Sequence, residues 1–126
     1  MNITTINTKN APAAIGPYSQ AKVYNGVIYV SGQLPIDPAT GGLELGDVVK
    51  QTRLVMKNLA AIIEAAGSNM DKVLKATILL TDMESFAQVN EVYASFFKES
   101  PPARICYQVS ALPKGAAVEI DAVCAL

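Results

Sequence analysis

The chain has 126 residues, 51% hydrophobic and 17% charged, a length that suits one domain (residues 1–126) with a core needing neither disulfides nor metal. With no histidine and only Cys106 and Cys124, one copy cannot build a His-based triad, a Cys–His dyad, a His-containing metal site or a four-cysteine centre. A net charge of −1, with lysines scattered singly and arginine limited to Arg53 and Arg104, leaves no basic footprint for nucleic acid.

Ile3–Thr5 reads as a short first strand, and the start of the chain has no basic and apolar leader pattern. A loop rich in Ala and Pro, Asn10–Pro17, follows. Ser19–Tyr24 and Val27–Ser31 flank Asn25-Gly26, the strongest short-range hairpin signal because both turn positions need positive φ. The uncharged stretch Val23–Ile36 is broken by Asn25-Gly26, Gly32 and Pro35, so it does not span a membrane. Pro35, Asp37-Pro38 and Gly41-Gly42 mark a turn-rich connection.

From Asp47 to Ala66, Val48, Thr52, Val55, Leu59, Ile62, Ile63 and Ala66 recur at helical spacing, with Asp47 as cap and Gly67 as terminator. Val73–Leu80 reads as a buried strand. Asp82 opens a second helix, about Glu84 to Phe97, with Phe86, Val89, Tyr93, Phe96 and Phe97 inward, stopped by Pro101-Pro102. Two last strands, Ala103–Ser110 and Ala117–Leu126, are joined by a turn around Leu112-Pro113-Lys114-Gly115. The order β-ββ-α-β-α-ββ predicts an α+β domain with both helices on one face of a mixed sheet. The other face then needs a cover. A mean hydropathy of +0.28, high for a small soluble monomer, points the same way, to an apolar face buried between subunits.

Alternation along the last two strands sorts Arg104, Cys106, Gln108 and Ser110 from Ile105, Tyr107 and Val109. It also sorts Glu119 and Asp121 from Val118, Ile120, Ala122 and Cys124. If the two strands pair as a hairpin with their apolar sets together, Arg104, Cys106, Glu119 and Asp121 share the face that the helices leave bare. An idle Arg–carboxylate ion pair and a two-pronged grip on a bound carboxylate are both open on these residues alone. Cys124 falls on the apolar face as a small inert hydrophobe. Two free cysteines fit a reducing cytoplasm.

Six segments carry a resemblance to a known family: Ala14-Ile15-Gly16-Pro17-Tyr18-Ser19-Gln20-Ala21, Tyr29-Val30-Ser31-Gly32-Gln33-Leu34-Pro35, Val89-Asn90-Glu91-Val92-Tyr93, and Pro102-Ala103-Arg104 with Leu112-Pro113 and Val118-Glu119-Ile120. In order and spacing they resemble the RidA family of reactive intermediate (imine) deaminases, also called YjgF-like proteins. The resemblance implies a chorismate-mutase-like subunit in a homotrimer, with helices outside a central barrel and active sites in the clefts between subunits. It implies cofactor-free hydrolysis of 2-imino acids such as 2-iminobutanoate and 2-iminopropanoate to 2-keto acids and ammonia, which protects pyridoxal-phosphate enzymes.

By the same resemblance Arg104 holds the substrate carboxylate and Glu119 places a water or relays protons. Cys106 walls the pocket or polarises through its carbonyl, a nucleophilic role being the minority reading. Tyr18 reaches the substrate from its loop, Ser31 and Gly32 offer a hydroxyl and an open backbone N–H, and Asn90 bonds across the cleft. No metal is expected. The competing readings are a non-catalytic trimer that binds small carboxylates, a ribonuclease or translation inhibitor, and a chorismate mutase; the last two are opposed by the scarcity of cations.

Overall fold

In the computed structural model, which describes residues 2–126, six strands and two α-helices follow the chain in the expected order. β1 (Thr4–Ile6), β2 (Ala21–Tyr24) and β3 (Val27–Gln33) form an antiparallel meander. Asn25 and Gly26 connect β2 to β3 with φ of 55° and 78°, the positive values that a two-residue primed turn demands.

α1 (Val48–Ala65) begins where the Asp47 carboxylate accepts from the Lys50 N–H at 2.9 Å. It ends in a Schellman pair: Gly67 N–H donates to Glu64 O at 2.9 Å and Ser68 N–H to Ile63 O at 3.0 Å, with Gly67 at φ 92°. Its buried row, Thr52, Val55, Met56, Leu59, Ile62 and Ile63, packs on β3 and on β6 (Val118–Ala125). Each aliphatic side chain fully buried there contributes roughly 1.5–3 kcal/mol.

β4 (Val73–Leu80) has the expected bounds. The second helix is shorter than its spacing suggests. Asp82 does cap, but it caps a 3-10 turn, Met83–Ser85, and α2 then runs only Phe86–Ala94. The last turn tightens because Phe96 and Phe97 N–H donate three residues back, to Tyr93 and Ala94 O, at 3.2 Å each. The Ser95 hydroxyl also donates to Val92 O at 2.6 Å. β5 spans Ala103–Gln108, and Lys114 turns the chain towards β6 at φ 59°.

The sheet order is β1-β2-β3-β6-β4-β5. β5 does not pair with β6 as a hairpin; it runs parallel to β4 at the sheet edge, while β6 lies antiparallel between β3 and β4. The reason is topological: β4, α2 and β5 form a strand–helix–strand crossover, which returns parallel to where it began. β6 is then free to take the inner position.

That correction reverses β5. Its partners are Ala76↔Arg104 and Ile78↔Cys106, so Arg104 and Cys106 lie on the helix-covered side with buried Ala76 and Ile78. Glu119 and Asp121, opposite Leu79 and Thr77, lie on the other side. The expected grouping of Arg104, Cys106, Glu119 and Asp121 on one face is therefore wrong. The apolar half of β5 points outward instead: Ile105 is 46% and Tyr107 51% exposed on the bare face, and Tyr29 of β3, 51% exposed, lies on the same face. Among the described residues, no helix is long and apolar enough to cross a membrane.

Candidate active site

Two groups of candidate residues form, one on each side of the sheet. On the helix side, β5 holds Arg104 so that its side chain crosses α2. Nη1 of Arg104 donates to the Asn90 Oδ1 at 2.6 Å, and the guanidinium carbon lies 5.4 Å from the ring centroid of Phe86 and 5.1 Å from that of Tyr93. Arg104, Asn90 and Tyr93, with Ala94, Pro101 and Pro102, border an open groove of about 400 Å³ in which Arg104 is half-buried. One N–H of a five-donor guanidinium is engaged, which leaves a fork able to take both oxygens of a carboxylate.

Cys106 sits two residues on, half-buried and free. Burial pushes its thiol pKa up, and the Arg104 charge offsets only part of that. The neutral thiol is favoured, so Cys106 lacks the thiolate character of a nucleophile.

On the bare side, Glu119 projects from β6 against Gly32 of β3, where a β-carbon on Gly32 would fall 3.0 Å from the Glu119 carboxyl carbon. Gly32, Thr77, Leu79, Glu119 and Asp121 line a hollow of about 90 Å³. Burial raises the Glu119 pKa, and the neighbouring Asp121 carboxylate raises it further. A carboxylate so placed holds protons more tightly than a solvated one, which suits it to accept a proton from water.

Tyr18 stands half-exposed on the loop before β2 and borders a second hollow, about 150 Å³, with Gly32, Leu34, Ile36 and Lys114 among its walls. Ser31 faces inward to its own chain: its hydroxyl donates to Ser19 O at 2.5 Å and its N–H to Gln20 O at 2.9 Å. It therefore fixes the base of the Tyr18 loop.

The structure thus brings Arg104, Cys106 and Asn90 together, and Glu119 and Gly32 together, with Tyr18 and Ser31 adjoining the second pair. The two groups do not meet within one chain. Sequence reasoning passed over two contributors. Gln20 is buried and clamps the loop: Oε1 accepts from Thr8 N–H at 2.7 Å, and Nε2 donates to the carbonyls of Thr8 (3.0 Å), Ala11 (3.4 Å) and Pro12 (2.8 Å). Its signal was a glutamine beside the apolar start of β2. Phe86 packs against the core as its inward position on the helix predicts, and its i, i+4, i+7 spacing with Asn90 and Tyr93 also sets it on the helix stripe that Arg104 contacts. Among the described residues, no cluster of three or more His, Cys, Asp or Glu is arranged to hold a metal ion.

A family model described as Endoribonuclease L-PSP matches residues 8–126. The chain is 53% identical over 124 residues to the RutC family protein y4sK of Sinorhizobium fredii, covering 98% of each. It is 51% identical over 118 residues to the 2-iminobutanoate/2-iminopropanoate deaminase of Mus musculus, covering 94% of this chain and 87% of that one. The crystal structure of YyfA, a Rid-family protein of Yersinia pestis, superposes with a TM-score of 0.97 at 51% identity, covering 99% of this chain and 100% of that one.

Proposed function

The chain belongs to the endoribonuclease L-PSP (YjgF/RidA) family, and on that premise we propose that it hydrolyses 2-imino acids, 2-iminobutanoate and 2-iminopropanoate among them, to 2-keto acids and ammonia. The observation that carries the reading is that one chain presents an Arg104 fork already bonded to Asn90 on one side of its sheet and a half-buried, proton-retentive Glu119 on the other. The 51% identity to a protein bearing that deaminase name supports it.

Arg104 grips the carboxylate of the substrate. Glu119 orients a water and takes its proton as the oxygen attacks C2. Glu119 returns that proton to the nitrogen, and the carbinolamine collapses: C2–N breaks, the C2 hydroxyl gives up its proton as the carbonyl forms, and ammonia leaves. Cys106 forms a wall beside the arginine. Tyr18 closes the other side, Gly32 keeps space for the Glu119 carboxylate, and Ser31 and Asn90 hold the Tyr18 loop and Arg104 in place. An imine is a ready electrophile, so positioning and acid–base help of ~10²–10⁴ is enough, without cofactor or metal.

Since Arg104 and Glu119 occupy opposite sides of one sheet, we place the working site between subunits of a homotrimer. The outward apolar residues of the bare face, Tyr29, Ile105 and Tyr107, support its burial there. The two free cysteines fit a cytoplasmic location, in which such imines arise from pyridoxal-phosphate enzymes.

The test generates 2-iminobutanoate with threonine dehydratase and follows both keto-acid formation and the adduct trapped by semicarbazide. The protein accelerates keto-acid release and lowers trapping, and Arg104→Ala abolishes both effects. No acceleration over buffer overturns the deaminase reading. Binding of 2-oxobutanoate without turnover would then favour a carboxylate-binding protein.

A further inference from the structure

Phe86, Asn90 and Tyr93 stand at i, i+4 and i+7 along α2 and so form one stripe on its surface. Arg104 lies along that stripe, over both rings and hydrogen-bonded to the amide between them. Phe97 packs in turn on Tyr93, ring centroids 4.9 Å apart with the planes at 56°. Among the described residues, the Tyr93 hydroxyl is the one buried side-chain polar atom without a hydrogen-bond partner. What Tyr93 offers Arg104 is therefore its ring.

We infer that Phe86 and Tyr93 are positioning residues for Arg104: their ring faces, with the Asn90 carbonyl, hold the guanidinium so that its unengaged N–H edge is presented to the substrate carboxylate. The inference rests on Arg104 as the carboxylate-binding group of the proposed reaction. An arginine on a surface strand samples many rotamers, and each substrate encounter must then freeze them. A guanidinium already stacked on two aromatic faces and bonded at one nitrogen has lost most of that freedom beforehand. The grip is made equally in ground and transition states, so its loss acts on KM rather than on kcat.

The experiment compares Phe86→Leu, Tyr93→Leu and Tyr93→Phe with the wild-type protein. The two leucine variants are expected to raise KM for 2-iminobutanoate about 3- to 10-fold, with kcat within about twofold of wild type. Tyr93→Phe keeps the ring and is expected to keep the KM. A second measurement does not depend on turnover: the side-chain Nε–H signal of Arg104, assigned by its disappearance in Arg104→Lys, Arg53 being the only other arginine. It is expected to be ordered in the wild type and in Tyr93→Phe, and mobile in both leucine variants. Wild-type KM and an unchanged Arg104 signal in folded leucine variants would overturn the inference, as would a Tyr93→Phe variant as impaired as Tyr93→Leu. If the wild type turns over no imine, the proposed activity falls, and the Nε–H signal alone decides the positioning role.

Discussion

The Glu119 carboxylate occupies the volume that a side chain at Gly32 would need: a β-carbon there would overlap Oε2 and lie 3.3 Å from Cγ. Room, rather than an unusual backbone angle, is what demands glycine. Gly32→Ala moves the end of a flexible side chain, so it costs little stability. It displaces the carboxylate to which the proposed mechanism gives the water, however, and kcat/KM is expected to fall at least about tenfold. A double-mutant cycle checks the cause, since in a Glu119→Ala background the alanine at 32 has no carboxylate to displace.

Glu119 should also leave a mark on stability. Burial and Asp121 raise its pKa in the folded chain, so the folded state favours the protonated form. The stability tied to that proton is complete at pH below the ordinary carboxylate range and is lost as pH rises through the elevated folded value. Glu119→Gln carries no such loss. Melting curves from pH 4 to 8 are expected to show the variant level with wild type at the acid end and more stable at neutral pH, although inactive. A gap that shrinks with rising pH contradicts the burial account.

Cys106 is expected to be dispensable. With its pKa raised, little thiolate is present at neutral pH. Cys106→Ala should keep kcat within about threefold, as suits a wall rather than a nucleophile. Alkylation by iodoacetamide at pH 7 should run slower than for a cysteine in a short peptide. Complete loss of turnover in Cys106→Ala would restore the covalent alternative.

Gln20 ties one buried amide to the backbone of Thr8, Ala11 and Pro12. Gln20→Ala strips partners from these groups and should destabilise the fold by about 1–3 kcal/mol. The effect should be local as well. Proteolysis and hydrogen exchange are expected to accelerate in residues 8–18 before the helices open, and activity to fall as Tyr18 loses its anchor.

Local chemistry made much of this fold readable. Asn25-Gly26, the Asp47 cap and the Gly67 terminator each act through a few adjacent residues, and each appears where its residue type calls for it. Choice of strand partner is different in kind. Whether β5 joins β6 or β4 depends on where α2 carries the chain, and alternation along β5 reads the same in either case. It separates Arg104 and Cys106 from Ile105 and Tyr107 without saying which pair meets the core. An isolated chain is expected to hide the apolar pair, whereas the structure leaves it exposed. Alternation and the chemistry of a lone arginine mark Arg104 and Glu119 as candidates, motif resemblance adds Tyr18 and Gly32 and the roles of all four, and the division into two groups comes only with the topology.

That division makes the two halves of the site separable by inheritance. A chain lacking Arg104 retains an intact Glu119 side, and a chain lacking Glu119 retains an intact Arg104 side. Two individually dead proteins, Arg104→Ala and Glu119→Ala, should therefore complement each other when denatured and refolded together. In a 1:1 mixture, about a quarter of the sites would combine both sound halves if each site draws them from different subunits. Recovery near that fraction, absent when the two proteins are mixed without refolding, would show that one sheet serves two sites at once.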